Sequence, residues 1–327
     1  MCTTIGFSYQ DGMVFGRTLE IGVKLDNNIL YVPRNEKDFI NAKGSKFDSK
    51  YAAIGSAFFN ISSFGDGINE MGLMGSSNFF PKYASFSKEA VEGKINMTTS
   101  NAFDYLLSRC KNVDEVRKEA ENIILVEQLD KEDGPSMSNH FFFMDSNGKK
   151  VVLEPKEGIL VSYDNPYGVL TNSPDFEWHS TNLRNYINLR PENIDEIRYS
   201  EITLSKFGEG TGMIGLPGDF TPPSRFVRAA YFVSNTDRDL ERNEAILQAF
   251  RILSQFDIPK GAIVDPIQKH KDETIYTSIM DTKEIAYFIK CNENINIQPF
   301  YLKDYADEKE VKFIGLEKTM DLCGPKF

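Results

Sequence analysis

The chain has 327 residues, 48 acidic against 37 basic, and a formal net charge of −11. With 41% hydrophobic and 26% charged residues it has the composition of a soluble globular protein that can bury a sizeable core, which excludes disorder, collagen and coiled coil. The acidic balance argues against a nucleic-acid surface or attraction to an anionic membrane, and no apolar run reaches the roughly 18 residues needed to span one.

Met1-Cys2-Thr3-Thr4 runs straight into a strand pattern, with no basic region and no long apolar segment of the signal-peptide kind, so a cytoplasmic location is expected. Strands are predicted at Thr3 to Tyr9 and Met13 to Glu20, joined by the hairpin turn Gln10-Asp11-Gly12. Further strands are predicted at Asn28 to Val32, Tyr51 to Phe58 and Leu73 to Phe80, the last following a turn-like Asp66-Gly67-Ile68-Asn69. Thr98 to Cys110 and Asn112 to Ile124 read as helices, the first with a hydroxyl-rich start and the second with Val113, Val116, Ala120 and Ile123 on one face. Phe141 to Met144 and Lys150 to Glu154 flank the hairpin signal Asp145-Ser146-Asn147-Gly148, and Ile159 to Tyr163 and Gly168 to Thr171 continue that sheet. Phe176 to Leu189 reads as helix. Phe207 to Pro223 holds five glycines and three prolines and must be irregular. Helices follow at Arg225 to Val233 and Leu240 to Phe256, then strands at Thr274 to Met280, Glu284 to Cys291 and Ile295 to Leu302. Strands and helices come in blocks rather than in alternation, so two antiparallel sheets with segregated helices fit better than a doubly wound parallel sheet. No linker or composition shift divides residues 1–327, and one domain is expected.

Cys2, Cys110, Cys291 and Cys323 are too scattered for a disulfide framework and form no CxxC, and His140, His179 and His270 are far apart. Neither pattern supports a metal site. Cys2 has two readings. It is an early residue of the first strand, or, once Met1 is removed, a residue carrying both a thiol and a free α-amine. Such an amine has a pKa of roughly 7.7–8.0 and can take the proton of the neighbouring thiol, so the nucleophile needs no histidine.

The residues around Cys2 favour the second reading. The opening MCTTIGFSYQDGMVFGRTLE resembles the start of the choloylglycine hydrolase family of bile salt hydrolases and penicillin V acylases, which are N-terminal-nucleophile hydrolases. The resemblance continues in family order through NILYVPRN, DGINEMGL, NFFPKY, GVLTNSPDFEWHSTNL, GEGTGMIGLPGDFTPPSRFVRA and TIYTS, and so spans nearly the whole chain. It implies an α+β fold, a four-layer αββα sandwich, and a homotetramer.

The resemblance also implies roles for particular residues. Cys2 is the nucleophile, and Arg17 a fixed positive charge that favours its thiolate. Glu20 stands where most relatives have the aspartate that orients the α-amine, with the same charge and one more methylene. Asn172, in LTNSP, donates to the oxyanion, and Arg225 is the second arginine of the site. Phe79 stands where bile salt hydrolases often have asparagine and penicillin V acylases tyrosine. It can supply a backbone N–H to the oxyanion but no polar side chain to the substrate. Arg228 is expected to be an ordinary helix-surface charge, and Trp178 and His179 to be structural. No metal or cofactor is implied. The substrate is a small-molecule amide. A bile salt conjugated to glycine or taurine is preferred, with penicillin V as the alternative and N-acyl homoserine lactones third. A non-catalytic binding relative is the reading from a different class.

Overall fold

A computed structural model describes residues 1–128, 136–267 and 269–320. Its first large sheet is built around the hairpin Cys2–Tyr9 and Gly12–Ile21, where the Tyr9–Gly12 pair leaves Gln10 and Asp11 as the turn. Val169–Leu170 flanks this hairpin on one side. Lys271–Asp281, Ala286–Cys291 and Gln298–Tyr301 follow on the other, and Ile263–Val264 pairs with Lys271–Asp281. The strand that begins at Cys2 is thus paired on both sides.

The second sheet runs in the order Lys312–Ile314, Asn27–Val32, Ala53–Phe58, Asp66–Asn69, Met74–Phe79, Asn139–Met144, Lys150–Lys156, Ile159–Asp164, Ile123–Leu125 and Ile95–Met97. Its pairings are antiparallel except for the last two strands. A parallel pair needs a crossover, and two helices supply it: α1 (Thr99–Arg109), capped by Thr98, and α2 (Val113–Ala120), capped by Asn112. Three further helices are α3 (Phe176–Asn182), α4 (Pro222–Ser234) and α5 (Arg242–Leu253).

Strand alternation produces the layers. Phe142 faces the first sheet, its ring 4.9 Å from Phe15, while Phe141 and Phe143 turn away and pack on Phe103 of α1. The apolar faces of α4 and α5, among them Phe226, Ala245, Ala249 and Leu253, cover the other side of the first sheet. The order α4/α5, sheet, sheet, α1/α2 is the four-layer αββα sandwich.

Some elements depart from the sequence reading. Asp66–Asn69 is a buried central strand and not a turn, because hydroxyl groups from both sheets satisfy the Asp66 carboxylate. The helix from Asn112 ends at Ala120, and the apolar run Ile123–Leu125 goes into the sheet. Val169–Leu170 joins the first sheet, paired with Thr4 and Ile5, instead of continuing the second. The helix from Phe176 gives way after Asn182 to a short 3-10 turn. The hairpin Glu196–Tyr199 and Ile202–Ser205 has no counterpart in the sequence reading, and every one of its residues is exposed.

Candidate active site

The site forms at the end of the first strand, where the pleat assigns its parts to two faces. Cys2 pairs with Leu19 and Thr4 with Arg17, so Cys2 and Arg17 share the face that looks into the second sheet. Thr3, Thr18 and Glu20 point the other way, towards α4. Cys2 is 2% exposed, and its Sγ accepts a hydrogen bond from Arg17 Nη2 at 3.1 Å. Arg17 Nη1 donates to Gly65 O at 2.8 Å and Ser77 O at 3.0 Å, which fixes the guanidinium plane. Burial opposes the Arg17 charge, but Cys2, Tyr276 and Asp66 outweigh it and hold the group above its ordinary pKa.

Asn172 joins the two faces. Its Oδ1 accepts from the Cys2 backbone N–H at 3.0 Å and from Arg225 Nη2 at 2.6 Å, and its Nδ2 donates to Phe79 O at 2.7 Å. Arg225, fully buried at the start of α4, also donates to Cys2 O, to Thr3 Oγ1 at 2.8 Å and to Phe220 O at 2.9 Å. Burial pulls its pKa down, and Glu20 and Cys2 oppose that pull. Phe79 therefore meets the site through its backbone carbonyl, while its side chain is 44% exposed. Asn78, one residue earlier, is buried and bonds Thr4 Oγ1 and Thr171 O.

Met1 is present ahead of Cys2, so the Cys2 nitrogen is here a peptide amide. The Met1 ammonium donates to the Glu20 carbonyl, and the Glu20 N–H returns a bond to Met1 O at 2.9 Å, extending the hairpin ladder by one pair. The Glu20 carboxylate is fully buried, and neither oxygen makes a well-formed hydrogen bond. Burial pushes its pKa up, against the pull of the terminal ammonium and Arg225.

Cys2, Arg17, Asn172, Arg225 and the Phe79 backbone thus lie in one hydrogen-bonded cluster, with Glu20 against its N-terminal edge. Further buried residues support the cluster. His179 donates through Nε2 to Asn172 O at 2.9 Å and stacks on Phe226 of α4, and burial pulls its pKa down to about 4, so the ring is neutral. Arg228, expected on the helix surface, is 6% exposed. It bonds the carbonyls of Pro217 and Asp219, both at 2.7 Å, and pins the glycine-rich loop that leads into α4. His140 bonds Glu154 and Thr171 O. Cys110 and Cys291 are buried in the fold, and Cys323 lies outside the described residues. Among the described residues no group of three His, Cys, Asp or Glu side chains is placed to hold a metal ion, and no helix is long and apolar enough to cross a membrane.

Residues 2–310 match the linear amide C–N hydrolases of the choloylglycine hydrolase family. The chain belongs to this family. It is a hydrolase of carbon–nitrogen bonds in linear amides. It is 33% identical over 326 residues to a bile salt hydrolase/transferase of Clostridium perfringens, covering 98% of this chain and 99% of the relative. It is 24% identical to a penicillin V acylase of Pectobacterium atrosepticum, covering 86% of this chain and 73% of that one. In three dimensions it is similar to a cysteine-to-alanine mutant of the conjugated bile acid hydrolase of Clostridium perfringens, with a TM-score of 0.91 at 32% identity and full coverage of both chains. The penicillin V acylase of Agrobacterium tumefaciens shares the fold, with a TM-score of 0.74 at 20% identity over 95% of this chain and 90% of that one.

Proposed function

We propose that the chain hydrolyses glycine- or taurine-conjugated bile salts with Cys2 as its N-terminal nucleophile. The observation that carries this reading is the arrangement at Cys2. A guanidinium donates to the sulfur at 3.1 Å on one side, and an asparagine amide lies 3.0 Å from the residue's own nitrogen on the other. With Met1 removed, that nitrogen is the base. It takes the thiol proton, and the thiolate, favoured by Arg17, attacks the amide carbonyl. The tetrahedral oxyanion takes a hydrogen bond from Asn172 Nδ2. The protonated α-amine returns its proton to the leaving amine as the C–N bond breaks and a thioester forms. Water, deprotonated by the same amine, then releases the acid. The Glu20 carboxylate, buried without a regular partner, is suited to orient the α-ammonium once it exists.

A cleft of about 480 Å³ opens at Gly22, where the second strand of the hairpin ends, and combines Val23, Leu25 and Ile275 with four lysines, Lys24, Lys260, Lys269 and Lys271, against two carboxylates, Glu273 and Glu293. An amide with an apolar body and an anionic end fits such a lining, and a conjugated bile salt has that character. Penicillin V is the second reading, favoured by the aromatic ring of Phe79. The test is a ninhydrin assay for released glycine or taurine beside an assay for 6-aminopenicillanic acid. Bile-salt turnover supports the first reading, and penicillin V turnover alone replaces it with the second. Silence on both, with Cys2 verified as N-terminal by mass, turns the reading to another linear amide such as an N-acyl homoserine lactone.

The same reading includes self-association into a homotetramer within the cytoplasm. In the hairpin 196–205, Ile197 pairs with Leu204 and Tyr199 with Ile202, all on one face and all exposed, and Phe207 beside it is fully exposed. An apolar patch of this kind marks an association surface. Light scattering of the wild type and of a Tyr199→Lys variant tests it, and a monomeric wild type would refute it.

A further inference from the structure

We propose that Asp66 is a positioning residue for Arg17, holding from behind the guanidinium that donates to the Cys2 sulfur. This rests on the reading of Cys2 as the nucleophile. Asp66 is fully buried between the sheets. Its Oδ2 accepts from Tyr276 OH at 2.5 Å and Ser56 Oγ at 2.9 Å, and its Oδ1 from Tyr287 OH at 2.6 Å and Ser278 Oγ at 3.1 Å. Four hydroxyl donors fill the acceptor sites of a carboxylate, so the group is held in place from every side. Arg17 Nε lies 3.6 Å from Oδ2, and the Tyr276 ring sits 5.9 Å from the guanidinium carbon. The residue before Asp66, Gly65, takes one of the two Nη1 bonds, so the same strand entry sets both the charge partner and one backbone anchor.

The chemistry gives this anion a purpose. During turnover the sulfur passes from thiolate to uncharged thioester and back. Without Asp66, Arg17, buried beside it, would lose the sulfur's charge at each acylation with no carboxylate to replace it, and an unpaired buried cation costs several kcal/mol. Asp66 takes no part in the bonds that form and break. It is a constant partner that keeps Arg17 in register while the sulfur changes charge. Four hydroxyls drawn from two sheets hold the carboxylate so that it cannot swing forward and pair with Arg17 at the expense of the sulfur.

The test measures the thiol and needs no substrate. The rate of Cys2 alkylation by iodoacetamide is followed against pH in the processed full-length protein, with Cys2→Ala subtracting any reaction at the other cysteines. The charged groups facing Cys2 are Arg17 from its own hairpin, Arg225 from α4, and Glu20 with the terminal amine. Those facing Asp66 are Arg17, Tyr276 and Tyr287. In Asp66→Asn the proposal expects alkylation at pH 6.5 to fall by about three- to tenfold, a partial loss of what a neighbouring cation provides, and the acid limb to move towards that of Arg17→Met. Tyr276→Phe and Tyr287→Phe, which keep the carboxylate and remove one donor each, move it the same way by less. If Asp66 were only a charge near the site with Arg17 held elsewhere, its neutralisation would make the thiolate easier to form. Faster or unchanged alkylation in a folded Asp66→Asn overturns the proposal. Should that variant not fold, unchanged profiles in both folded tyrosine variants overturn it. A wild-type Cys2 that alkylates no faster than free cysteine overturns the nucleophile reading itself.

Discussion

Asn172→Asp separates the two halves of one amide. A carboxylate oxygen in place of Oδ1 keeps both of its donors, the Cys2 N–H at 3.0 Å and Arg225 Nη2 at 2.6 Å. What disappears is Nδ2. One of its hydrogens goes to Phe79 O at 2.7 Å, and the other is free to meet a developing oxyanion. Loss of one oxyanion donor raises the barrier by about 3–4 kcal/mol, which is a fall in kcat of roughly 10²–10³. The ground state does not use this donor, so KM should stay nearly constant. The orphaned Phe79 carbonyl costs about 1–3 kcal/mol of stability, offset in part by the new ion pair with Arg225. The assay is steady-state hydrolysis across pH, read on the plateau because the added anion raises the pKa of the neighbouring α-amine, with thermal unfolding alongside. A folded variant whose kcat stays within tenfold of wild type, or whose whole loss lies in KM, would refute the oxyanion role.

Active protein should be lighter than the full chain by one methionine, and protein retaining Met1 should show no turnover above background. Intact mass and activity on the two fractions decide, and full activity with Met1 attached would sink the self-base mechanism. Phe79→Asn should move the ratio of kcat/KM towards glycine-conjugated bile salts and away from penicillin V by about two- to tenfold, the worth of one aromatic contact. An unchanged ratio would mean that the ring does not read the acyl group. Burial pushes the Asp104 carboxyl up to about 7, so its stabilising contribution is complete below the unfolded value of 3.8 and is lost as pH rises through 7. His179, pulled down to about 4, contributes the opposite slope between pH 4 and 6.5. Relative to wild type, Asp104→Asn should therefore gain stability with rising pH, by up to about 1.4 kcal/mol per pH unit between 4.5 and 6.5. Parallel denaturation curves for the two proteins would count against it.

The opening hairpin was legible because alternation and turn chemistry are local. So was α1, whose Thr98 cap bonds the Asn101 N–H. Asp66 was misread for a physical reason: Asp-Gly reads as a turn unless distant hydroxyls satisfy the carboxylate, and those of Tyr276 and Tyr287 lie 210 and 221 residues away. Arg228 was misread likewise, since the carbonyls that bury it belong to an irregular loop whose path no periodicity gives. The departures Glu20 and Phe79 were visible as residue identities. That Glu20 sits against Met1, and that Phe79 offers its carbonyl to Asn172, depends on how the folded chain brings distant segments together.

Cys2 meets its partners in an order set by synthesis. Arg17 is 15 residues away, Asn172 170 and Arg225 223, and the strand that closes the hairpin's free edge begins only at Lys271. At about 5–20 residues per second, a nascent chain spends on the order of 10–50 s with its thiol out and its sheet unfinished. Throughout that interval whatever precedes Cys2 is open to a peptidase. Afterwards the ammonium is tied to the Glu20 carbonyl in a completed ladder. Trimming therefore belongs early and catalytic competence late, so a chain interrupted before its last third carries a cysteine that has not yet been armed.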